Sequence, residues 1–366
     1  MELYIFNRDL ELKGILDTFT SLRWIRKYNK TGQFELHCPL NSNTLELLKR
    51  ENIIYKKDDV EAGYIETRQL TIDYTGKEYL KINGKFLTNY LDRRISLDRV
   101  NFIGKTEELI RKLVNDNCIN PSNNNRRIPN LILGDLKGFT EDIKYQNSFG
   151  NVLEQLENIS NTSNLGYRNI LDIKNRKIIF DIYKGVDRTV NNGTIAPCIF
   201  SRDFENILEQ EYFDNLNNYR NTCMIAGAGE GKNRKITSIE SGTGLARYEL
   251  YVDARDLQDK KWINDIETDI PDSEYYKMLL QRGKEKLSEC KEIQTFDSKI
   301  NVDGNNVYKK DFDIGDIVTI VDKKWGISLN VRVTEIEEVY EESGLEVNII
   351  FGNSIPTLMD KIKQKG

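Results

Sequence analysis

Short runs in which apolar and polar side chains alternate dominate the first hundred residues. LYIF (3–6), LRWIRKY (22–28), GQFELHC (32–38), LTIDYTG (70–76) and EYLKINGKF (78–86) are rich in Ile, Leu, Tyr and Phe and are separated by Asn, Gly and Asp. That pattern predicts strands. Tyr74–Glu78 and Asn29–Gly32 read as tight connections between neighbouring strands, and Leu45, Leu47 and Leu48 suggest a short helix over 43–50. The period then changes. In KTEELIRKLVND (105–116), Leu109, Ile110, Leu113 and Val114 share one helical face, with Thr106 placed as N-cap. INPSNNNRRIPN (119–130) is polar, carries two prolines and reads as a loop. Phe149, Val152, Leu153, Leu156 and Ile159 predict a second helix over 148–160, capped by Ser148. Two strands follow, at 166–173 and 176–183. Further strands are expected at 198–201, 221–227, 234–240 and 247–254, a long helix at 273–294, and closing strands at 316–322, 328–336 and 345–351.

The order is β, then mixed α and β, then β with one inserted helix. Strand runs segregated from helices argue against a doubly wound parallel sheet and for a β-rich α+β chain. The expected divisions are a first β region at 1–100, a mixed helical and strand region at 101–195, and a second β region at 196–366 carrying the helix near 273–294. A length of 366 residues suits two or three domains. No run approaches the roughly 20 apolar residues of a membrane span, and the start of the chain lacks the basic and apolar segments of a secretory signal.

Charge and composition remove several chemistries. A net charge of -5 argues against a dedicated nucleic-acid binder. His37 is the single histidine, which leaves little for a catalytic triad or a histidine-based metal site. The five cysteines, Cys38, Cys118, Cys198, Cys223 and Cys290, form no CxxC pair. They read as small buried hydrophobes of a chain made in reducing cytoplasm. Cys38 follows His37 directly, but neighbours in a strand point to opposite faces. Gly227-Ala228-Gly229-Glu230-Gly231-Lys232 fails as a P-loop: Ala226 stands where a glycine is needed and Asn233 where Ser or Thr is needed. It reads as a glycine turn. The pairs Asp58–Asp59, Glu107–Glu108, Glu337–Glu338 and Glu341–Glu342 read as solvated surface charge, the last two as part of a closing hairpin. Asp253, Asp256 and Asp259 lack the spacing, glycine and later glutamate of a calcium loop. No catalytic, cofactor or metal residue is assigned, and an enzyme is not expected.

Several phrases in order resemble one family. They are LRWIRKYNKTGQFELHCPL (22–40), IETRQLTID (65–73), NYLDRRIS (89–96), GVDRT (185–189), FSRDFENI (200–207), IAGAGEGKNRKI (225–236) and GLARYELYVDARDL (244–257). FDIGDIVTIVDKKWGISLNVRVTEIE and EVNIIFG (346–352) close the series. Together they resemble the siphovirus-type phage tail hub family, the baseplate hub or N-terminal module of tail-associated proteins. That family also occurs in contractile phage-tail-like bacteriocins of Gram-positive bacteria. One departure is Ala246-Arg247, where two charged residues are expected. Relatives often continue into a peptidoglycan hydrolase or receptor-binding region, whereas this sequence stops about a dozen residues after its last predicted strand, so no lytic activity is carried over. The resemblance implies two tail-tube-like β-barrels per subunit and a homotrimer that joins a sixfold tube to a threefold tip. It implies the tail tube or distal tail protein, the tape measure protein and a central spike, fibre or tail-tip protein as partners. It implies no cofactor, no stable nucleic-acid binding while DNA passes the lumen, and assembly in the bacterial cytoplasm into a tail. The other readings are a carbohydrate- or receptor-binding tip module and a cell-wall hydrolase.

Overall fold

The computed structural model describes residues 1–263 and 266–352. Seven strands open the chain: β1 (Leu3–Phe6), β2 (Leu12–Leu16), β3 (Ser21–Lys27), β4 (Gln33–Pro39), β5 (Ile53–Lys56), β6 (Ala62–Ile72) and β7 (Glu78–Phe86). The helix α1 (Ser42–Leu47) lies between β4 and β5, fixed by a reciprocal cap in which Asn41 Oδ1 accepts from Thr44 N–H and Thr44 Oγ1 accepts from Asn41 N–H. Alternation places Leu22 and Trp24 of β3, Phe34, Leu36 and Cys38 of β4, and Leu80, Ile82 and Phe86 of β7 in one buried core. Trp24 lies against Phe86 with ring centroids 4.5 Å apart.

The middle of the chain carries β8 (Ile95–Lys105), α2 (Thr106–Val114), β9 (Leu131–Leu133), β10 (Asp142–Asn151), α3 (Val152–Ser163), β11 (Gly166–Asp172) and β12 (Lys177–Tyr183). β8 and β10 form a two-stranded ribbon, and β9, β12 and β11 form a small sheet. The apolar faces of α2 and α3 meet in a core with Tyr167, Ile178 and Phe180. Two helix starts differ from expectation. α2 begins at Thr106 itself, with Lys105 at the cap position. The helix expected from 148 begins at Val152, because β10 stays paired with β8 through Asn151 opposite Ile95; Asn151, not Ser148, caps it. Phe149 is consequently an exposed strand residue.

The last part begins with β13 (Ile199–Phe200) and β14 (Ile207–Asn215). An insertion follows, with β15 (Thr222–Ala226), β16 (Ile236–Ile239), β17 (Glu249–Asp253), β18 (Lys260–Ile263), β19 (Ile266–Asp269) and α4 (Asp272–Ser288). The chain then returns through β20 (Ile293–Ile300), β21 (Ile317–Asp322), β22 (Ile327–Glu341) and β23 (Gly344–Gly352). β20 pairs antiparallel with β14, so the insertion leaves and re-enters at neighbouring points. α4 packs on β15 at Gly283, where a Cβ would stand 2.8 Å from Ile225. The helix expected to reach 294 ends at Ser288; a turn follows and β20 begins at Ile293. β22 runs on through Glu337 and Glu338 to Glu341, so these residues are strand rather than turn.

One thirteen-stranded sheet links both β regions in the order β14-β20-β23-β22-β3-β4-β7-β6-β5-β1-β2, with β21 and β13 branching from the other end of β22. Each half wraps its own core: Trp24, Phe34 and Phe86 in one, Phe200, Phe296, Phe312 and Phe351 in the other. Among the described residues the pairing closes no ring; the halves are joined edge to edge through β3 and β22.

Candidate functional site: the junction of the two β halves

Alternation carries three charged side chains onto buried faces where β3, β5 and β22 approach the seam. On β3, Arg26 follows Leu22 and Trp24; on β5, Lys56 follows Ile54; on β22, Glu338 follows Ile336. All three are almost fully buried, as are Asp59 and Glu61 just before β6. Lys56 Nζ lies 2.7 Å from Glu338 Oε2 and 3.4 Å from Asp59 Oδ2. Arg26 donates from Nε to Glu61 Oε2 at 3.2 Å and from Nη1 to Asp313 Oδ1 at 2.7 Å. Lys309 Nζ closes the group, 3.4 Å from Asp59 Oδ2 and 3.2 Å from Glu338 Oε1. Trp24 Nε1–H donates to Asp59 at 3.1 Å, and the Tyr308 hydroxyl donates to Glu338 at 3.1 Å.

The carboxyls titrate in opposite directions. Burial raises Glu61 to about 7, and the Arg26 charge offsets that only in part. Burial acts on Asp59 too, but Arg26, Lys309 and Lys56 outweigh it and hold the group at about 2. Glu338 is likewise depressed, by Lys56 and Lys309 acting against its burial.

Two residues beyond Arg26, Tyr28 ties in the middle region. Its ring is flanked by Gly166, from the start of β11, and by Gly315, just before β21; a Cβ on either would lie 2.4 Å from the ring. Its hydroxyl donates to Asn164 O at 2.8 Å, and the Arg332 guanidinium sits 4.7 Å above the ring. Nearby, Gly185 meets Gly315 so closely that a Cβ would stand 1.8 Å from the Gly315 carbonyl oxygen. Asp316 accepts from Arg188 Nε at 2.8 Å and from Val186 N–H at 2.7 Å. The alternating Trp24, Arg26 and Tyr28 thus fill a core, an ionic cluster and a three-way contact in turn. The phrases LRWIRKY, GVDRT and FDIGD, far apart in sequence, meet here.

A family model described as Siphovirus ReqiPepy6 Gp37-like protein matches residues 2–353. The chain belongs to this family. It is a phage tail protein, and the resemblance read from its phrases is to that class of protein. No curated protein sequence matches the chain. The fold is shared with solved tail proteins of low identity. A tail protein from Neisseria meningitidis MC58 aligns at a TM-score of 0.59 and 13% identity, covering 96% of each chain. A 43 kDa tail protein of prophage MuSo2 from Shewanella oneidensis aligns at 0.58 and 12%, covering 96% of this chain and 98% of that one. The prophage tail protein gp18 from Listeria monocytogenes EGD-e aligns at 0.55 and 12%, covering 100% of this chain and 98% of that one.

In this Gp37-like protein the residues that first invited chemistry are dispersed. His37 lies on the outer side of β4, its Nε2 2.7 Å from Glu35, while burial pushes the Cys38 thiol up to about 11. Asp253 binds Arg255 and Arg234, Asp256 binds Arg282, and Asp259 binds Lys235, so each carboxylate of that series faces its own cation. The glycine turn links β15 to β16, with Ala228 N–H donating to the Tyr275 hydroxyl. Three of the four acidic pairs depart from the surface reading in one member each, while Asp58, Glu108, Glu341 and Glu342 are exposed. Asp59, Glu107 and Glu338 are each no more than 6% exposed. Glu107 accepts the N–H groups of Lys137, Gly138 and Phe139 at 2.6, 2.8 and 3.0 Å and so closes the loop before β10.

Proposed function

We propose that this tail protein is a baseplate hub: a homotrimer that adapts the sixfold tail tube to the threefold tail tip or spike of a phage or phage-tail-like bacteriocin. The observation that carries the reading is the pair of half-sheets, each around its own core and locked to the other by the buried junction. Three subunits with two such halves each present six comparable surfaces to a sixfold tube. Each half takes the role of a tail-tube-like β-barrel, completed in the assembly. The regions 1–100, 101–195 and 196–366 act as first β module, middle domain and second β module. The neighbours along the axis are the tail tube or distal tail protein, the tape measure protein and a central spike, fibre or tip protein. Assembly takes place in the bacterial cytoplasm, and the role is structural rather than enzymatic. The test is the mass of the purified chain in solution together with its copy number in tail particles. The expected mass is three times 42.6 kDa, with subunit contacts above about 1,000 Å². A monomer at high concentration that is also absent from purified particles overturns the reading.

A further inference from the structure

A cleft of about 1090 Å³ opens where the middle domain, the insertion and the second β half meet. It is distinct from the buried ionic cluster but borders the Tyr28 contact, since Asn164 and Arg332 also line it. One wall is the end of α4, which turns Gln281, Lys284, Leu287 and Ser288 toward the opening, followed by Lys291. Arg220 and Arg332 enter from the insertion and from β22. Ile143, Ile239 and Ile317 add apolar patches to the lining.

The charges here run against the sign of the chain. Five cations line the cleft (Lys184, Arg220, Lys284, Lys291 and Arg332) against three carboxylates (Glu141, Asp142 and Glu292), in a protein of net charge -5. Two of the carboxylates are already engaged: Glu141 with Lys184, and Asp142 with Lys105 at 2.7 Å. Glu292 accepts from Gln294 at 3.1 Å. Four of the cations touch no carboxylate among the described residues. Arg220 donates to the Tyr219 carbonyl, Arg332 to the Gly315 carbonyl, and Lys291 to the Asn161 carbonyl at the end of α3. Lys284 is exposed and has no hydrogen-bond or ion-pair partner among the described residues.

We propose that this cleft docks an acidic peptide segment of a partner protein, with carboxylates on Arg220, Lys284 and Lys291 and an aliphatic side chain against Ile239 and Leu287. Peptide chemistry is favoured over nucleic acid because apolar patches share the lining and because no row of aromatic side chains offers bases a stacking platform. The proposal goes beyond the hub reading and does not depend on the trimer.

The test uses the full chain and a fluorescein-labelled twelve-residue peptide of repeating Glu-Glu-Leu, followed by anisotropy at low salt. A repeating Lys-Lys-Leu peptide and a twelve-nucleotide single-stranded DNA are the comparisons. Saturable binding of the acidic peptide is expected, weakened at least tenfold by Arg220→Glu with Lys284→Glu, and left unchanged by Lys49→Glu, which lies outside the cleft. Lys284→Gln alone, at an exposed position that cannot unsettle the fold, is expected to weaken binding severalfold. Equal binding by the Lys284 variants, absence of saturable binding, or tighter binding of the DNA overturns the proposal. The mass of the same variants in solution separates this result from the hub reading, since loss of peptide binding in an intact trimer touches only the cleft.

Discussion

The ionic cluster sits where apolar side chains would stabilise the seam at least as well, since taking charges out of water offsets much of their attraction. What such a cluster adds is intolerance of mispairing. Lys56→Met leaves Glu338 and Asp59 short of a buried cation, and a loss of about 3–5 kcal/mol in unfolding free energy is expected from denaturant titration. Lys56→Met combined with Glu338→Leu is expected to recover part of that loss; strict additivity of the two single effects contradicts the coupling seen in the structure. Glu61 gives the seam a pH response. Its pKa is near 7 in the folded chain against 4.5 for the free side chain, so its contribution to stability is full below about 4.5 and disappears as pH rises through 7. Asp59, held near 2, behaves in the opposite sense, contributing above about 4 and failing only as pH falls toward 2. Glu61→Gln is therefore expected to flatten the decline in melting temperature between about pH 4.5 and 7 while leaving the acid limb in place. An unchanged slope in that window refutes the assignment. The positions of Arg26, Lys56 and Glu338 were legible in principle, because each continues the inward alternation of its strand. Glu338 was read as surface charge because it sits in an acidic pair. Glu107 offered no such signal, since its partners lie thirty residues away.

At the scale of elements, strands with one buried face were readable, and two long strands without one were not. β4 and β7 alternate cleanly, and their limits follow from the sequence. β8 has Ser96 as its one fully buried residue, and β14 only Ile207, so neither shows the period of two and both were missed. The helix expected from 148 shows the converse: Phe149 fits the helical spacing, but pairing with β8 holds the chain extended to Asn151. In the insertion, α4 is held by close approach at Gly283. Gly283→Leu is expected to lift the helix from β15. Hydrogen exchange should then quicken at Thr222–Ala226 while the amides of β3 and β4 keep their protection, because those strands belong to a different core. Equal loss in both places shows the insertion to be part of one cooperative unit with the sheet.

Across the whole molecule, two cores are bound into one sheet by a single seam of backbone pairing and buried charge. Calorimetry is expected to show the two β halves melting together, with the insertion free to open earlier; well-separated transitions for the two cores contradict the shared seam. The alternating pattern revealed both β regions in the sequence but not their union, because the pairing of β3 with β22 joins residues more than three hundred positions apart. That union has a mechanical meaning. β22 is fifteen residues long, about 50 Å at the usual rise, and it pairs with β21 at one end and with β3 at the other. A twist applied to one half reaches the other along a continuous strand, with no linker between them to absorb it, so the two halves turn together as one stiff beam.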